Sequence, residues 1–514
     1  MAGAAFGEAS LAAFFGASEV VAIATGPTSA PAIAFGQLAI AHTPEWLKNF
    51  AISHFGEDDK LVLTVSIYAA FVLLAAAVGA IAVQLALVPV AVAAVGLLGA
   101  ATAGAAATQA GGTGLQALPS AVGAVAGATA FAFLGRPRGL GGTRRPTDPV
   151  PPQAAASNTP QISRRQLFRA GSLVALGAAS YAIGRGALAK AYNAVASRAA
   201  VRLPRPVSTT PRLAGTSFEV EGLAPYITPN EDFYRVDTAL VVPQLSTDGY
   251  SLTVHGMVGQ PAIFSFEDLL RMPLIERTIT MVCVSDPVGG PYLGNASWLG
   301  VPLAHILSLV RPDVRADQLF MTSSDGMTIG ADLRAALDGR AAMLAVGMNG
   351  EPLPFKHGFP VRAIIPGFYG YASACKWLVD LEVTTYAAKK AYWVERGYAL
   401  DGRVKLESKI DAPASFAQLK AGPVTVAGSA WHPTIGIQKV EVRVDGGPWQ
   451  LATLAEAESN DTWRLWRWQW DATSGSHTLE VRATDNNGQV QTSKEAPVFP
   501  SGASGRQSVV VTVT

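Results

Sequence analysis

The chain has 514 residues, 39 basic against 38 acidic side chains, and a formal charge of +1. That balance excludes the basic stripe of a nucleic-acid binder, and the length exceeds one ordinary domain. A mean hydropathy of +0.27 is high for a water-soluble chain. The excess lies in the first quarter, where Ala, Gly, Val and Leu dominate.

Residues 9–41 are apolar, broken by Gly26-Pro27 and Pro31, and carry one acid, Glu19. They read as one kinked span or as a helix followed by a re-entrant piece. Residues 61–83, 85–107 and 115–134 are free of charge over roughly a bilayer thickness. A fourth apolar run, residues 170–189, follows a basic cluster. Residues 1–190 are therefore predicted to be an all-α transmembrane region of about five spans, its small residues suited to close packing in lipid. An acid at membrane depth, such as Glu19, is a functional candidate.

Arg136, Arg138, Arg144, Arg145, Arg164, Arg165 and Arg169 crowd into one loop. The positive-inside rule makes residues 136–166 a cytoplasmic basic linker. Counting spans from there puts the N-terminus inside and everything after about residue 190 outside the cytoplasm. Ser163-Arg164-Arg165-Gln166-Leu167-Phe168-Arg169 resembles a twin-arginine export signal. Residues 146–160 and 201–211 are Pro-rich linkers. His42 and His54 flank the outer loop and read as interfacial residues rather than haem ligands.

From residue 212 the composition becomes that of a soluble protein. Residues 228–237 read as a loop entering a strand, and 252–258 as a strand. Ser265 caps a short helix. An apolar run, Ile279-Thr280-Met281-Val282, delivers Cys283 to a Gly- and Pro-rich loop, with a helix after Pro302. Asp325-Gly326 and Asn349-Gly350 are hairpin turns, and 360–366 is a strand bounded by prolines. Short strands and helices without a βαβ rhythm indicate an α+β domain over 212–395. There is no Walker loop or dinucleotide fingerprint. The only cysteines are Cys283 and Cys375, so at most one disulfide forms, and the seven histidines are too scattered for a zinc site.

The Cys283 loop, with Gly289-Gly290 and Gly294-Asn295-Ala296-x-Trp298-x-Gly300-Val301-Pro302-Leu303, resembles the sulfite oxidase superfamily of molybdopterin enzymes, in particular its membrane-attached actinobacterial type. Asn349-Gly350-Glu351-Pro352-Leu353-Pro354-x-x-His357-Gly358-Phe359-Pro360-Val361-Arg362 carries the second motif. Pro366-Gly367-x-Tyr369-Gly370 and Lys376-Trp377 carry the third. The resemblance implies a molybdenum-molybdopterin cofactor with Cys283 as the metal ligand. It implies cofactor contacts from Asn230, Tyr234, Arg235, His357, Arg362, Ser373 and Lys376, and a substrate-side aromatic residue at Tyr392 beside Trp393. A thiolate is the soft ligand such a site requires, and Arg362 and Lys376 are the residue types that bind a phosphate.

One departure concerns the substrate. Members that oxidise sulfite carry arginines just after the ligand cysteine; here the residues are Val284, Ser285, Asp286, Pro287 and Val288. An acid there repels sulfite, so reduction of an S-oxide, free or protein-bound, stands beside sulfite oxidation. Arg396 is a candidate compensating cation. The soluble half has no haem-ligand pair or cysteine cluster, so a separate electron-transfer partner is expected. A membrane-anchored binding or adhesion protein that kept the fold without redox activity is the alternative.

Residues 400–514 show short strands separated by turns such as Asp445-Gly446-Gly447 and Asn486-Asn487-Gly488. That spacing predicts an immunoglobulin-like β-sandwich, with Val440, Val442 and Val444 on a buried face and Trp466, Trp468 and Trp470 packed in its core. The resemblance implies the same sandwich, often used in a homodimer.

Overall fold

The computed structural model describes residues 2–44, 47, 50–51, 54–55, 58–108, 114–136 and 163–514. The linker at 146–160 and Arg138, Arg144 and Arg145 lie outside the described residues. The chain divides into two compact units.

The first unit runs to Asn193 and includes Thr238–Val242. Its helices are α1 (Ala2–Thr25), α2 (Pro31–His42), α3 (Asp59–Gln84), α4 (Val88–Ala107), α5 (Leu118–Gly135) and α6 (Arg164–Ala191). All but α2 belong to helices long and apolar enough to cross a membrane. Gly26, at φ 98°, ends α1, so the expected apolar stretch takes its helix-plus-short-piece form. At 12 residues, α2 is about 18 Å long, short of a bilayer.

Helix α1 packs against α3, α5 and α6. Its approach to α3 depends on glycine, since a Cβ on Gly7 would lie 1.8 Å from the Ala75 carbonyl oxygen. Close backbone approach through small residues is how helices associate where lipid offers no hydrophobic drive. Ser163 caps α6: its hydroxyl accepts from the Gln166 N–H at 3.3 Å, and its own N–H donates to Gln166 Oε1 at 3.0 Å. Arg164 and Arg165 are thus the first two residues of a helix.

The second unit holds the remainder, Ala194–Asp237 and Pro243–Thr514. It opens with α7 (Val195–Ala200), β1 (Ser208–Thr209), β2 (Ser251–Gly256), β3 (Ala262–Ser265) and α8 (Phe266–Arg271). Next come β4 (Ile275–Val282), β5 (Leu293–Pro302), α9 (Leu303–Val310), β6 (Gln318–Ser323) and β7 (Thr328–Asp332). The α+β part closes with β8 (Met343–Met348), β9 (Glu351–Pro352), β10 (Arg362–Ile364), β11 (Leu378–Thr384) and α10 (Tyr392–Glu395). One sheet has the order β1-β4-β5-β8-β10 with β9 beside β8; the other has the order β3-β2-β11-β6-β7. Leu299, Val301, Leu344 and Val346 of the first sheet share a core with Leu252, Val254, Leu319 and Leu381 of the second. Leu269 of α8 and Ile306 and Leu307 of α9 complete it.

Two expectations are corrected here. The segment from Leu293 is a ten-residue strand, not a continuation of the Cys283 loop. β5 lies between β4 and β8 and is buried on both faces, a placement that glycines tolerate because a partner backbone must come close. A Cβ on Gly300 would sit 2.4 Å from the Leu344 carbonyl oxygen. Residues 228–237 enter no strand; several of their polar groups are bonded instead to the side chains of His357 and Asn349.

The C-terminal part is a β-sandwich. Its first sheet is built from β12 (Glu407–Ala412), β14 (Gly422–Trp431), β17 (Thr453–Leu454) and β18 (Arg464–Ala472). The second contains β13 (Gln418–Leu419), β15 (Ile437–Val444), β16 (Gln450–Leu451), β19 (Gly475–Asp485) and β20 (Ser508–Val513). Their orders are β12-β14-β18-β17 and β13-β20-β19-β15-β16. Val440, Val442, Trp466, Trp468 and Trp470 all face the shared core, as their alternation predicts.

Candidate functional site

Cys283 follows β4 directly. Its N–H donates to the Tyr292 carbonyl at 2.9 Å, and its own carbonyl accepts from the Asp286 N–H at 3.1 Å. Asp286 Oδ1 in turn accepts from the Tyr292 N–H at 2.7 Å. The residues after the thiol are therefore folded back into a closed loop rather than left mobile. The Cys283 sulfur is buried, unbridged, and accepts from the Ser285 N–H at 3.4 Å. Burial pushes this thiol up, while the Ser285 donors pull it down. Burial likewise raises Asp286 to about 6 against the Tyr292 N–H.

Lys376 acts electrostatically on the thiol, and two arginines lie near Lys376. Arg362, first residue of β10, is 5% exposed; it donates to the His357 carbonyl at 3.1 Å and lies over the Trp298 ring at 5.0 Å. Burial lowers it to about 10. Arg362 Nε and the neighbouring Trp298 Nε1 are buried donors without a hydrogen-bond acceptor among the described residues. Buried donors are rarely left so. Lys376 Nζ reaches Asp237 Oδ2 at 2.5 Å, and Arg235 binds both oxygens of the same carboxylate at 2.8 and 3.1 Å. Burial lowers Lys376 to about 8 against the pull of Asp237. Gly358, at φ 108°, is the hinge of this group. A Cβ there would lie 3.1 Å from both Arg362 Cβ and Lys376 Cα, so a side chain would press the cations apart.

Neutral polar groups complete the arrangement. His357 Nε2 bonds the Asn230 carbonyl at 3.0 Å. Burial, then Arg362, hold its imidazole down at about 3, so it is uncharged at neutral pH. Asn230 Oδ1 accepts from Asn349 Nδ2 at 2.9 Å, and Asn349 also donates to the Thr228 carbonyl and accepts from the Ser297 N–H. Tyr234 stacks on Phe233 with ring centroids 5.3 Å apart; burial, then the nearby Cys283, hold its hydroxyl well above the ordinary range.

The fold thus gathers Cys283, Asn230, Tyr234, Arg235, His357, Arg362 and Lys376 from segments far apart in sequence. Ser373 is buried nearby, but its hydroxyl is committed to its own loop, donating to the carbonyls of Phe368 and Tyr369. Tyr392 is the first residue of α10. Its N–H donates to Thr328 Oγ1, Arg396 covers its ring at 3.5 Å, and Trp393 meets it edge-on. Tyr226, Tyr369, Tyr371 and Tyr398 share a buried cluster with Val282 and Val284, the neighbours of Cys283, and Trp393 packs against it. Asp237 and Asn349, which organise the cations and Asn230, have no sequence signal beyond the Asn-Gly turn.

Residues 239–393 match the family described as oxidoreductase molybdopterin binding domain, and residues 407–481 match the bacterial Ig domain. Mitochondrial sulfite oxidase of Macaca fascicularis is 30% identical over 323 residues, covering 53% of this chain and 59% of the relative. The Homo sapiens protein matches to the same extent. Residues 239–393 thus form a molybdopterin-binding oxidoreductase domain similar to that of the sulfite oxidase superfamily. An inducible nitrate reductase of Glycine max matches at 28% identity over 55% of this chain and 40% of its own length. Among solved structures, the sulfane dehydrogenase SoxCD of Paracoccus pantotrophus has a TM-score of 0.49 and 25% identity over 56% of this chain and 84% of its own. The chain spans less than two thirds of the length of the mitochondrial sulfite oxidases it matches.

The matched domain and the similarity to sulfite oxidases imply molybdenum bound through molybdopterin, and the residues present fit that group. A free buried thiol offers a soft ligand. Two orphaned donors, two cations on one carboxylate with a third, Arg362, nearby, and an uncharged imidazole suit a cofactor with polar edges and a phosphate.

Proposed function

We propose that the protein is a membrane-anchored oxidoreductase, its catalytic unit outside the cytoplasm, which moves an oxygen atom to or from a sulfur-containing substrate. The observation that carries this is the free, buried Cys283 within electrostatic reach of Lys376, whose own cationic neighbours are Arg362 and Arg235. In this reading Cys283 is the protein's ligand to molybdenum, and the Ser285 N–H steadies its sulfur as a thiolate. Arg362, Arg235 and Lys376 hold the phosphate end, with Asp237 keeping the two outer cations in place. Asn230, His357 and Tyr234 fix the polar edges of the pterin. Bound there, the cofactor supplies two-electron oxygen-atom transfer. The electrons pass to or from a separate partner protein.

Asp286 inclines the pocket against anions. A buried carboxyl bonded to the loop that carries the ligand, with no arginine between residues 284 and 292, favours an uncharged S-oxide over sulfite. The sulfite oxidases among its relatives act on a sulfur compound, as their name states. Support for the outward orientation comes from Arg136, Arg164, Arg165 and Arg169 at the ends of α5 and α6.

The test is a turnover screen of the molybdenum-loaded full chain against sulfite, dimethyl sulfoxide and methionine sulfoxide, beside metal analysis. S-oxide reduction with stoichiometric molybdenum supports the reading. Sulfite oxidation alone overturns the substrate assignment. Failure to take up molybdenum in a host that makes the cofactor overturns the whole.

A further inference from the structure

The helical unit contains a charge that anchoring does not need. Glu19 lies on α1 at 0% exposure, and the cation that faces it is Arg185 of α6, with Nη1 to Oε2 at 3.8 Å. Neither Glu19 oxygen has a hydrogen-bond partner among the described residues. Ser18 gives no help, because its hydroxyl donates to the carbonyls of Phe14 and Pro119. The two helices meet at this level without a gap: a Cβ on Gly184 would lie 2.9 Å from Glu19 Cβ. Beside the pair, the hydroxyls of Tyr68 on α3 and Tyr181 on α6 are 2.9 Å apart, and Tyr68 is within electrostatic reach of both Glu19 and Arg185. Helix α5, the third neighbour of α1, carries no titratable side chain.

This is poor geometry for a fixed ion pair. A buried pair holds together when the contact is short, preferably bidentate, and the remaining lone pairs are hydrogen-bonded. Here the contact is at the outer limit of an ion pair and both oxygens lack donors. It is suitable geometry for a carboxyl whose charge comes and goes. With a proton bound, Glu19 no longer needs its cation, and the Arg185 side chain, 37% exposed, has a way out. Ala12 meets Gly177 and Glu19 meets Gly184, so α1 and α6 run parallel. Arg185 is six residues from the end of α6 at Ala191, about 9 Å along the axis. A long arginine side chain covers much of that distance.

We propose that Glu19 and Arg185 form a proton-binding site inside the helical unit, its ligand one exchangeable proton on the Glu19 carboxyl. When the proton is absent, Arg185 turns in to the carboxylate; when it is present, Arg185 turns out toward the Ala191 end. Tyr68 and Tyr181 are the hydroxyls beside the site. The inference rests on the helical unit lying in a membrane, and retention of the chain in membranes after an alkaline wash tests that premise separately.

The experiment uses the full chain in lipid nanodiscs. Dicyclohexylcarbodiimide attaches to protonated carboxyls in apolar surroundings, and mass spectrometry localises the label on the wild-type chain without any variant. Infrared difference spectra of wild type against Glu19→Gln isolate the protonated-carboxyl band. The expected result is labelling of Glu19 that declines as pH rises, with the Glu19-dependent band declining in step. Arg185→Gln should move both to higher pH by tenfold or more in proton concentration, since it removes the stabilising cation. A Glu19 band and label that do not change over the range in which the bundle stays folded would overturn the proposal. So would a titration that Arg185→Gln leaves in place. Should Glu19→Gln fail to fold, the wild-type label and its response to Arg185→Gln still decide the question.

Discussion

Replacing Arg362 by methionine should stabilise the cofactor-free protein while abolishing cofactor retention. The guanidinium is 5% exposed, donates to one carbonyl, and leaves Nε without an acceptor. Burial lowers it to about 10, so the charged form is held in the fold at a cost. The sign follows from linkage. Above about pH 10, up to the ordinary arginine range, the unfolded chain binds a proton that the folded chain has lost, so stability rises with pH there. At neutral pH both forms are charged and the penalty is present in full. Methionine fills similar space against Trp298 without a charge, and such exchanges of buried ions are neutral or stabilising by about 1–4 kcal/mol. The assay is thermal unfolding of the full chain from a host unable to make the cofactor, beside molybdenum content from a host that can. The expected pair of results is a melting temperature equal to or above wild type and no bound molybdenum. A cofactor-free variant less stable by more than about 2 kcal/mol, or one that retains molybdenum, would refute the assignment of Arg362 as a pre-placed cofactor cation.

Three further outcomes are expected. Cys283→Ser should lose molybdenum and turnover with an unchanged near-ultraviolet spectrum; retained turnover removes Cys283 from the metal. Asn349→Ala should destabilise the chain by about 2 kcal/mol, since it unpairs the Ser297 N–H, the Thr228 carbonyl and Asn230. It should also weaken cofactor retention, and denaturant titration with metal analysis checks both. Glu407 is held at about 8 by burial, then by Asp286, so between about pH 4.5 and 8 the folded chain keeps a proton that the unfolded chain has released. Stability should fall with rising pH across that window by at most about 5 kcal/mol, and Glu407→Gln should flatten the slope; an unaltered slope would place the carboxyl elsewhere.

The sequence made visible whatever is coded by neighbours. Long charge-free runs, the Ser265 cap, the strand that ends at Cys283 and the alternation of Val440 and Val442 each follow from spacing along one segment, and each appears in the fold. What escaped depends on partners far away in the chain. β5 looked like a loop because of Gly294 and Gly300, whose lack of a side chain is what allows Phe233 and the Leu344 backbone to pack against them. The role of Asp237 depends on Lys376, 139 residues later. Tyr392 and Tyr398 are six residues apart in sequence, yet only the fold distinguishes the one beneath Arg396 from the one buried beside the ligand strand.

The same strand gives the sandwich a role that its family name does not suggest. β1 pairs with β4 only at Ile275 and Glu276; farther along, the Thr280 N–H donates to the Asp461 carbonyl at 2.9 Å, and Thr280 Oγ1 accepts from the Trp463 N–H at 2.6 Å. Trp463 Nε1 also donates to the Tyr226 carbonyl. The turn between β17 and β18 therefore supplies the missing edge partner of the strand that aims Cys283. The C-terminal sandwich is thus not an interchangeable module. A chimera that replaces it with another sandwich must carry residues 458–463 along, or the strand that ends at the thiol, still paired with β5, will have its other edge open.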